Sequence, residues 1–169
     1  DKIASCYIIA LGVNDLLNLN QPLGDITDID LNNLENNKDT FAGWYGRVIS
    51  KYKEIAPNAK FFFVTMPKEN AVNVPNNMIK KDHAKLLHDL TKLYSNSYVI
   101  DLFEYAPIYD EEFKQKFYLE GHMNPAGYRL TAKGTCPIVA DSFEYRYHAD
   151  GDMLDYLYLP CELIKEDSV

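Results

Sequence analysis

The sequence has no long hydrophobic run. Its longest, Cys6 to Gly12, is the size of a strand and far short of the ~20 apolar residues a membrane-crossing helix needs, so no membrane partner is expected. Cysteine is scarce. Cys6, Cys136 and Cys161 are odd in number, widely spaced and never in a Cys-x-x-Cys, which leaves neither a disulfide framework nor a zinc knuckle to expect, only small buried hydrophobes. Basic charge is short as well: 17 Lys and Arg stand against 25 Asp and Glu, a net charge of −8. A phosphate backbone is held by a clustered basic surface that releases counterions, so no nucleic-acid partner is expected either. Internal repeats are missing. The start, Asp1-Lys2, shows no methionine and no signal-peptide pattern, so any targeting segment is expected to have been removed or left out, and the compartment is not legible.

What remains is ordinary globular composition. A length of 169 residues, with 47% hydrophobic and 25% charged residues, fits a single domain with a real core. Ala4 to Gly12 is nearly unbroken in its apolarity and predicts a strand buried on both faces of a parallel sheet. Leu16 to Asp39, rich in Asn, Asp and Leu, predicts a long loop with at most a short helix. Phe41, Trp44, Tyr45, Val48, Ile49, Tyr52 and Ile55 recur at spacings of three and four and predict an amphipathic helix from Thr40 to Ala56, stopped by Pro57. Lys60 to Met66 predicts a second buried strand, Asn76 to Tyr94 a second helix and Ser97 to Leu102 a third strand. A last helix is expected from Pro125 to Ala140, with Gly134 and Pro137 weakening its end. Residues 141–169 form a tail whose period-two pattern at Phe143, Tyr145 and Tyr147 suits an edge strand. Strands alternating with helix-length connections predict an α/β fold on a parallel sheet.

In such sheets ligands bind beyond the carboxyl ends of the strands. Three stretches lie there or shortly after: Gly12-Val13-Asn14-Asp15, Thr65-Met66-Pro67 and Gly121-His122-Met123-Asn124-Pro125-Ala126-Gly127-Tyr128. Gly12 allows close approach of backbone to ligand, and Asn14 can aim its amide at a developing oxyanion. Taken alone, Asn14 and Asp15 are better explained as an Asx-turn and cap. His122, in a loop just before a helix start, is placed to act as a general base near neutral pH. His83, His88 and His148 are read as satisfied structural histidines, because His83 and His88 are five apart rather than the four that share a helix face for metal.

Together, Gly-x-Asn-Asp after an apolar strand and His-x-Asn-Pro-x-Gly-Tyr about a hundred residues later resemble two conserved blocks, the third and fifth, of the SGNH/GDSL hydrolases. The resemblance runs from about Ile3 to Thr131 and takes in Phe41-Ala42-Gly43-Trp44-Tyr45 and Val99-Ile100-Asp101-Leu102. It implies a flavodoxin-like α/β/α sandwich that hydrolyses small acyl esters, acylated carbohydrates among the candidates, without metal or cofactor. It assigns Asn14 to the oxyanion hole and His122 to the general base, with Gly12 and Asp15 bracing the site and Met123 and Asn124 beside the substrate.

Two departures from that pattern matter. The family's nucleophilic Gly-Asp-Ser and a second oxyanion glycine both precede the Gly-x-Asn-Asp strand, and here only 11 residues precede Gly12. The chain is therefore expected to be the C-terminal portion of the domain, inactive alone, with its serine upstream. Gly151-Asp152-Met153-Leu154 is no substitute, since a methionine cannot attack a carbonyl. The acidic triad position three before the histidine holds Leu119, leaving Glu120 or a backbone carbonyl to orient His122. The competing expectation is a binding domain that kept the fold and lost the nucleophile. An apolar strand at 4–12 also needs a neighbour on each side. Lys60 to Met66 is expected on one, and a segment from outside the chain, the tail near Tyr156–Leu163 or a second copy on the other.

Overall fold

Three short apolar segments pair side by side in the computed structural model, which describes residues 3–69, 75–142, 145–146 and 164–165. They are β1 (Cys6–Ile9), β2 (Lys60–Val64) and β3 (Ser97–Ile100), all parallel in the order β1-β2-β3. Ile8, Phe62 and Tyr98 share one row across the sheet. Parallel neighbours need crossovers. Helices α1 (Phe41–Ile55) and α2 (Pro75–Leu93) supply them, giving a mixed α/β architecture. The chain divides into two units, residues 1–108 and 109–169. No helix among the described residues is long and apolar enough to cross a membrane.

The first unit is built on one face of its sheet. Side chains alternate along a strand, so Tyr7 and Ile9, Phe61 and Phe63, and Val99 point one way. They meet Tyr45 and Ile49 of α1 and Leu86, Leu87 and Leu90 of α2 in a single apolar cluster. The Thr40 hydroxyl caps α1 by accepting from the Gly43 amide at 3.1 Å, which satisfies one of the donors a helix start leaves open. The Tyr45 hydroxyl donates to the Ile9 carbonyl at 3.4 Å, tying α1 to the end of β1. Asn77 and Lys80 anchor the start of α2. Asn77 exchanges two hydrogen bonds with the Glu69 backbone, and Lys80 pairs with the Glu69 carboxylate at 2.7 Å.

Two expectations are corrected here. The first strand covers Cys6–Ile9 rather than Ala4 to Gly12, and it is not buried on both faces, since Ile8 is 53% exposed. The reason is its edge position: among the described residues only β2 pairs with it. The loop from Leu16 to Asp39 is more ordered than its composition implies. Short 3-10 turns at Ile26–Asp28 and Leu34–Asn36 are held by side chains. Asp28 binds the Lys38 ammonium at 2.7 Å and the Thr40 hydroxyl at 2.9 Å.

A one-turn helix, α3 (Leu102–Tyr105), follows β3, and the second unit holds α4 (Glu111–Phe117), a hairpin of the two-residue strands β4 (Tyr118–Leu119) and β5 (His122–Met123), and α5 (Pro125–Ser142). Helix α5 continues past Gly134 and Pro137. Tyr109 stacks on Phe113 with ring centroids 4.1 Å apart, and Phe113 meets Phe117 at 4.7 Å. In the tail, β6 (Tyr145–Arg146) pairs antiparallel with β7 (Ile164–Lys165). His148, Gly151-Asp152-Met153-Leu154 and Tyr156–Leu163 lie outside the described residues.

Candidate functional site

Gly12 ends the first strand's run with φ at 131°, in the region that side chains other than hydrogen rarely adopt. A single π-helical turn, Val13–Asn18, follows at once, closed by the Leu19 amide donating to the Asn14 carbonyl at 2.9 Å. Such turns are rare and recur at functional sites. The turn buries Leu16 and leaves Asn14 exposed. The Asn14 side-chain oxygen accepts from Asn18 Nδ2 at 2.9 Å, which turns the Asn14 amide donors away from Asn18 and toward solvent. The neighbouring Asp15 carboxylate makes no hydrogen bond or ion pair among the described residues.

Behind this turn stands His83 of α2. It is fully buried, and a Cβ on Gly12 would fall 2.9 Å from its Nε2. Its ring packs edge-on against Phe41, centroids 5.4 Å apart. Among the described residues neither ring nitrogen has a hydrogen-bond partner. Burial pushes its pKa down to about 4, and the Leu11 backbone beside it pulls the other way. His83 is thus a buried histidine packed between Gly12 and Phe41.

A second histidine pairs where none was expected to matter. His88 Nε2 lies 2.8 Å from Asp101 Oδ2, with His88 half exposed and Asp101 largely enclosed. The other Asp101 oxygen accepts from the Thr65 hydroxyl and the Glu104 amide, each at 3.0 Å. Burial pushes the Asp101 carboxyl up, but the bonds from His88, Glu104 and Thr65 outweigh it and hold it below its ordinary range. Thr65 and Asp101 follow β2 and β3 directly, so this network sits at the carboxyl end of the sheet. The clue was in the sequence, since Thr65 and Asp101 both follow apolar runs. Pairing them with His88 needed the path of α2.

In the second unit, Glu120 and Gly121 form the hairpin turn, with Glu120 at φ 53°. His122 is exposed, and among the described residues no hydrogen bond or ion pair engages its ring or joins it to Glu120. The residues after it are all used in folding. Asn124 caps α5 by accepting from the Gly127 amide at 2.9 Å, while its Nδ2 donates to the Lys116 carbonyl at 2.8 Å. Pro125 takes the first helical position, where its missing N–H costs nothing. Gly127 is tucked so close under α4 that a Cβ would meet the Phe117 carbonyl oxygen at 2.5 Å. Met123 accepts from the Thr131 hydroxyl at 3.5 Å.

The structure thus brings Gly12, Asn14 and Asp15 together in the first unit, and Glu120, His122, Met123 and Asn124 in the second. Among the described residues no three His, Cys, Asp or Glu side chains group as metal ligands would. Compared with known proteins, the chain matches no family model, no curated protein and no solved structure.

Proposed function

We propose that this chain is the C-terminal portion of a serine esterase of SGNH/GDSL type, with a flavodoxin-like α/β/α fold completed by a segment outside it. One observation supports this reading more than the rest. In both motifs packing and capping account for Gly12, Asn124 and Gly127, and they leave open the two groups that acyl transfer needs. Gly12 is required by its φ and by the His83 ring, Asn124 by capping, Gly127 by the approach of Phe117. The Asn14 amide and the His122 ring are left exposed and unspent.

In this mechanism a serine supplied from outside the chain attacks the ester carbonyl. His122 accepts the serine proton, then returns it to the leaving alcohol. The Asn14 Nδ2 donates to the oxygen that becomes negative in the tetrahedral intermediate. Asp15, through a backbone carbonyl that accepts from the Gln21 backbone amide, braces the turn that carries Asn14, and Glu120 or a backbone carbonyl orients His122. The outer edge of β1, unpaired among the described residues, and the exposed Ile8 are where a segment carrying the nucleophile would pair.

Hydrolysis of p-nitrophenyl acetate by the gene product that includes that segment tests the assignment. Asn14→Ala is expected to lower kcat by about 10²–10³ with KM little changed, because the donor acts mainly in the transition state. His122→Ala is expected to cost more, and the double variant little beyond that. Activity within a few-fold of wild type in Asn14→Ala reduces Asn14 to a turn residue and removes the assignment.

A further inference from the structure

We infer that the hollow beside the Gly12–Asp15 turn is a binding site for a neutral saccharide ring. The hollow has a volume of about 360 Å³, enough for a sugar-sized ligand. It lies wholly within the first unit, with Asp15 and Gln21 on its polar side and Phe41, Trp44 and Tyr45 on its aromatic side. Phe41 and Tyr45 are buried in the core, so the ring open to a ligand is Trp44, which is 47% exposed.

Trp44 is held as a platform. Its indole N–H donates to Asp39 at 2.7 Å, and the Arg47 guanidinium lies 4.4 Å from the ring centroid. Arg47 is itself fixed by the Leu34 and Asn37 carbonyls, each at 3.1 Å. A ring pinned at two points has little freedom left to lose on binding. The polar side is equally prepared. The Gln21 backbone amide donates to the Asp15 carbonyl at 2.8 Å, which sets the two residues side by side. Among the described residues neither side chain makes a hydrogen bond or ion pair of its own. A carboxylate and a carboxamide offer planar sets of acceptors and donors, matching adjacent hydroxyls, while an aromatic face suits the apolar C–H side of a sugar ring.

Other occupants fit less well. An acyl chain would strip water from the Asp15 carboxylate with nothing in return. An anion would face that same charge. A quaternary cation would compete for an indole whose attraction for cations Arg47 already uses. The inference stands apart from the hydrolase reading, since binding here needs no serine and no turnover.

Trp44 is the only tryptophan in the chain, so its fluorescence reports on this hollow alone. The probes are xylotriose, methyl β-glucoside, choline chloride and sodium octanoate, each added to about 50 mM because a shallow site binds at millimolar strength. A saturable change with at least one saccharide is expected, weakened about tenfold in Gln21→Ala and in Asp15→Ala, each of which loses roughly one charged or neutral hydrogen-bond partner. Far-UV circular dichroism checks that both variants fold. No saturable response to either saccharide overturns the inference, as does a stronger response to choline or octanoate, or saccharide binding undiminished in a folded variant.

Discussion

The imidazole of His83 fills the space that a side chain on Gly12 would need: a Cβ there would lie 2.9 Å from Nε2 and 3.3 Å from Cδ2. Gly12 is therefore glycine for two independent reasons, the ring behind it and a φ of 131°. Gly12→Ala is expected to cost about 2–4 kcal/mol, combining backbone strain with overpacking. In the double variant Gly12→Ala with His83→Ala the overpacking part is relieved and the strain is not. Urea unfolding of the four proteins in the cycle measures both parts. Fully additive losses would show that the two residues do not meet in solution.

His83 also makes stability depend on pH in a definable window. Its folded pKa of about 4 lies below the ordinary histidine value of 6.5. Between those values the unfolded chain binds a proton that the folded chain refuses, so stability is full above pH 6.5 and falls as pH drops toward 4, by about 3 kcal/mol in all. His83→Leu removes the titrating group and two unpaired polar atoms. It is expected to be at least as stable as wild type at pH 7 and to lack this part of the slope. Identical slopes in the two proteins between pH 6.5 and 4 would exclude a buried neutral His83.

Asp101 acts in the next window down. Its carboxyl is depressed, so its contribution is present above the unfolded carboxyl value of about 3.9 and is lost as pH falls through the lower folded value. Asp101→Asn is expected to destabilise the chain by about 1–3 kcal/mol at pH 7, since His88, Thr65 and the Glu104 amide lose an ionised acceptor. The loss should shrink below pH 4. Chemical denaturation across pH checks this, and a loss that stays constant down to pH 2 would contradict it.

Local pattern carried the helices well. Expected bounds of Thr40 to Ala56 and Asn76 to Tyr94 compare with Phe41–Ile55 and Pro75–Leu93, because amphipathic spacing and a capping threonine act within one turn of chain. The middle and last strands were legible for the same reason, as unbroken apolar runs. The fate of β1 was not, since whether Ile8 is covered depends on a neighbour and not on its own residue type. The histidines divide likewise. A spacing of five residues turns His83 and His88 to different sides of α2, but which side meets Phe41 and which meets Asp101 is fixed by the sheet beneath. Within the motifs, the roles of Gly127 and Asn124 as packing and capping residues emerge only when α4 is set beside α5.

The central claim is that this chain carries an oxyanion donor and a general base for a serine that lies outside it. Labelling with a fluorophosphonate probe, followed by peptide mass spectrometry, tests that directly in the gene product that includes the completing segment and in the 169-residue chain alone. The expected result is one labelled serine in the completing segment, none in the isolated chain, and labelling slowed by His122→Ala, which removes the proton acceptor. A labelled serine within residues 1–169, or no labelled serine in either protein, would contradict it.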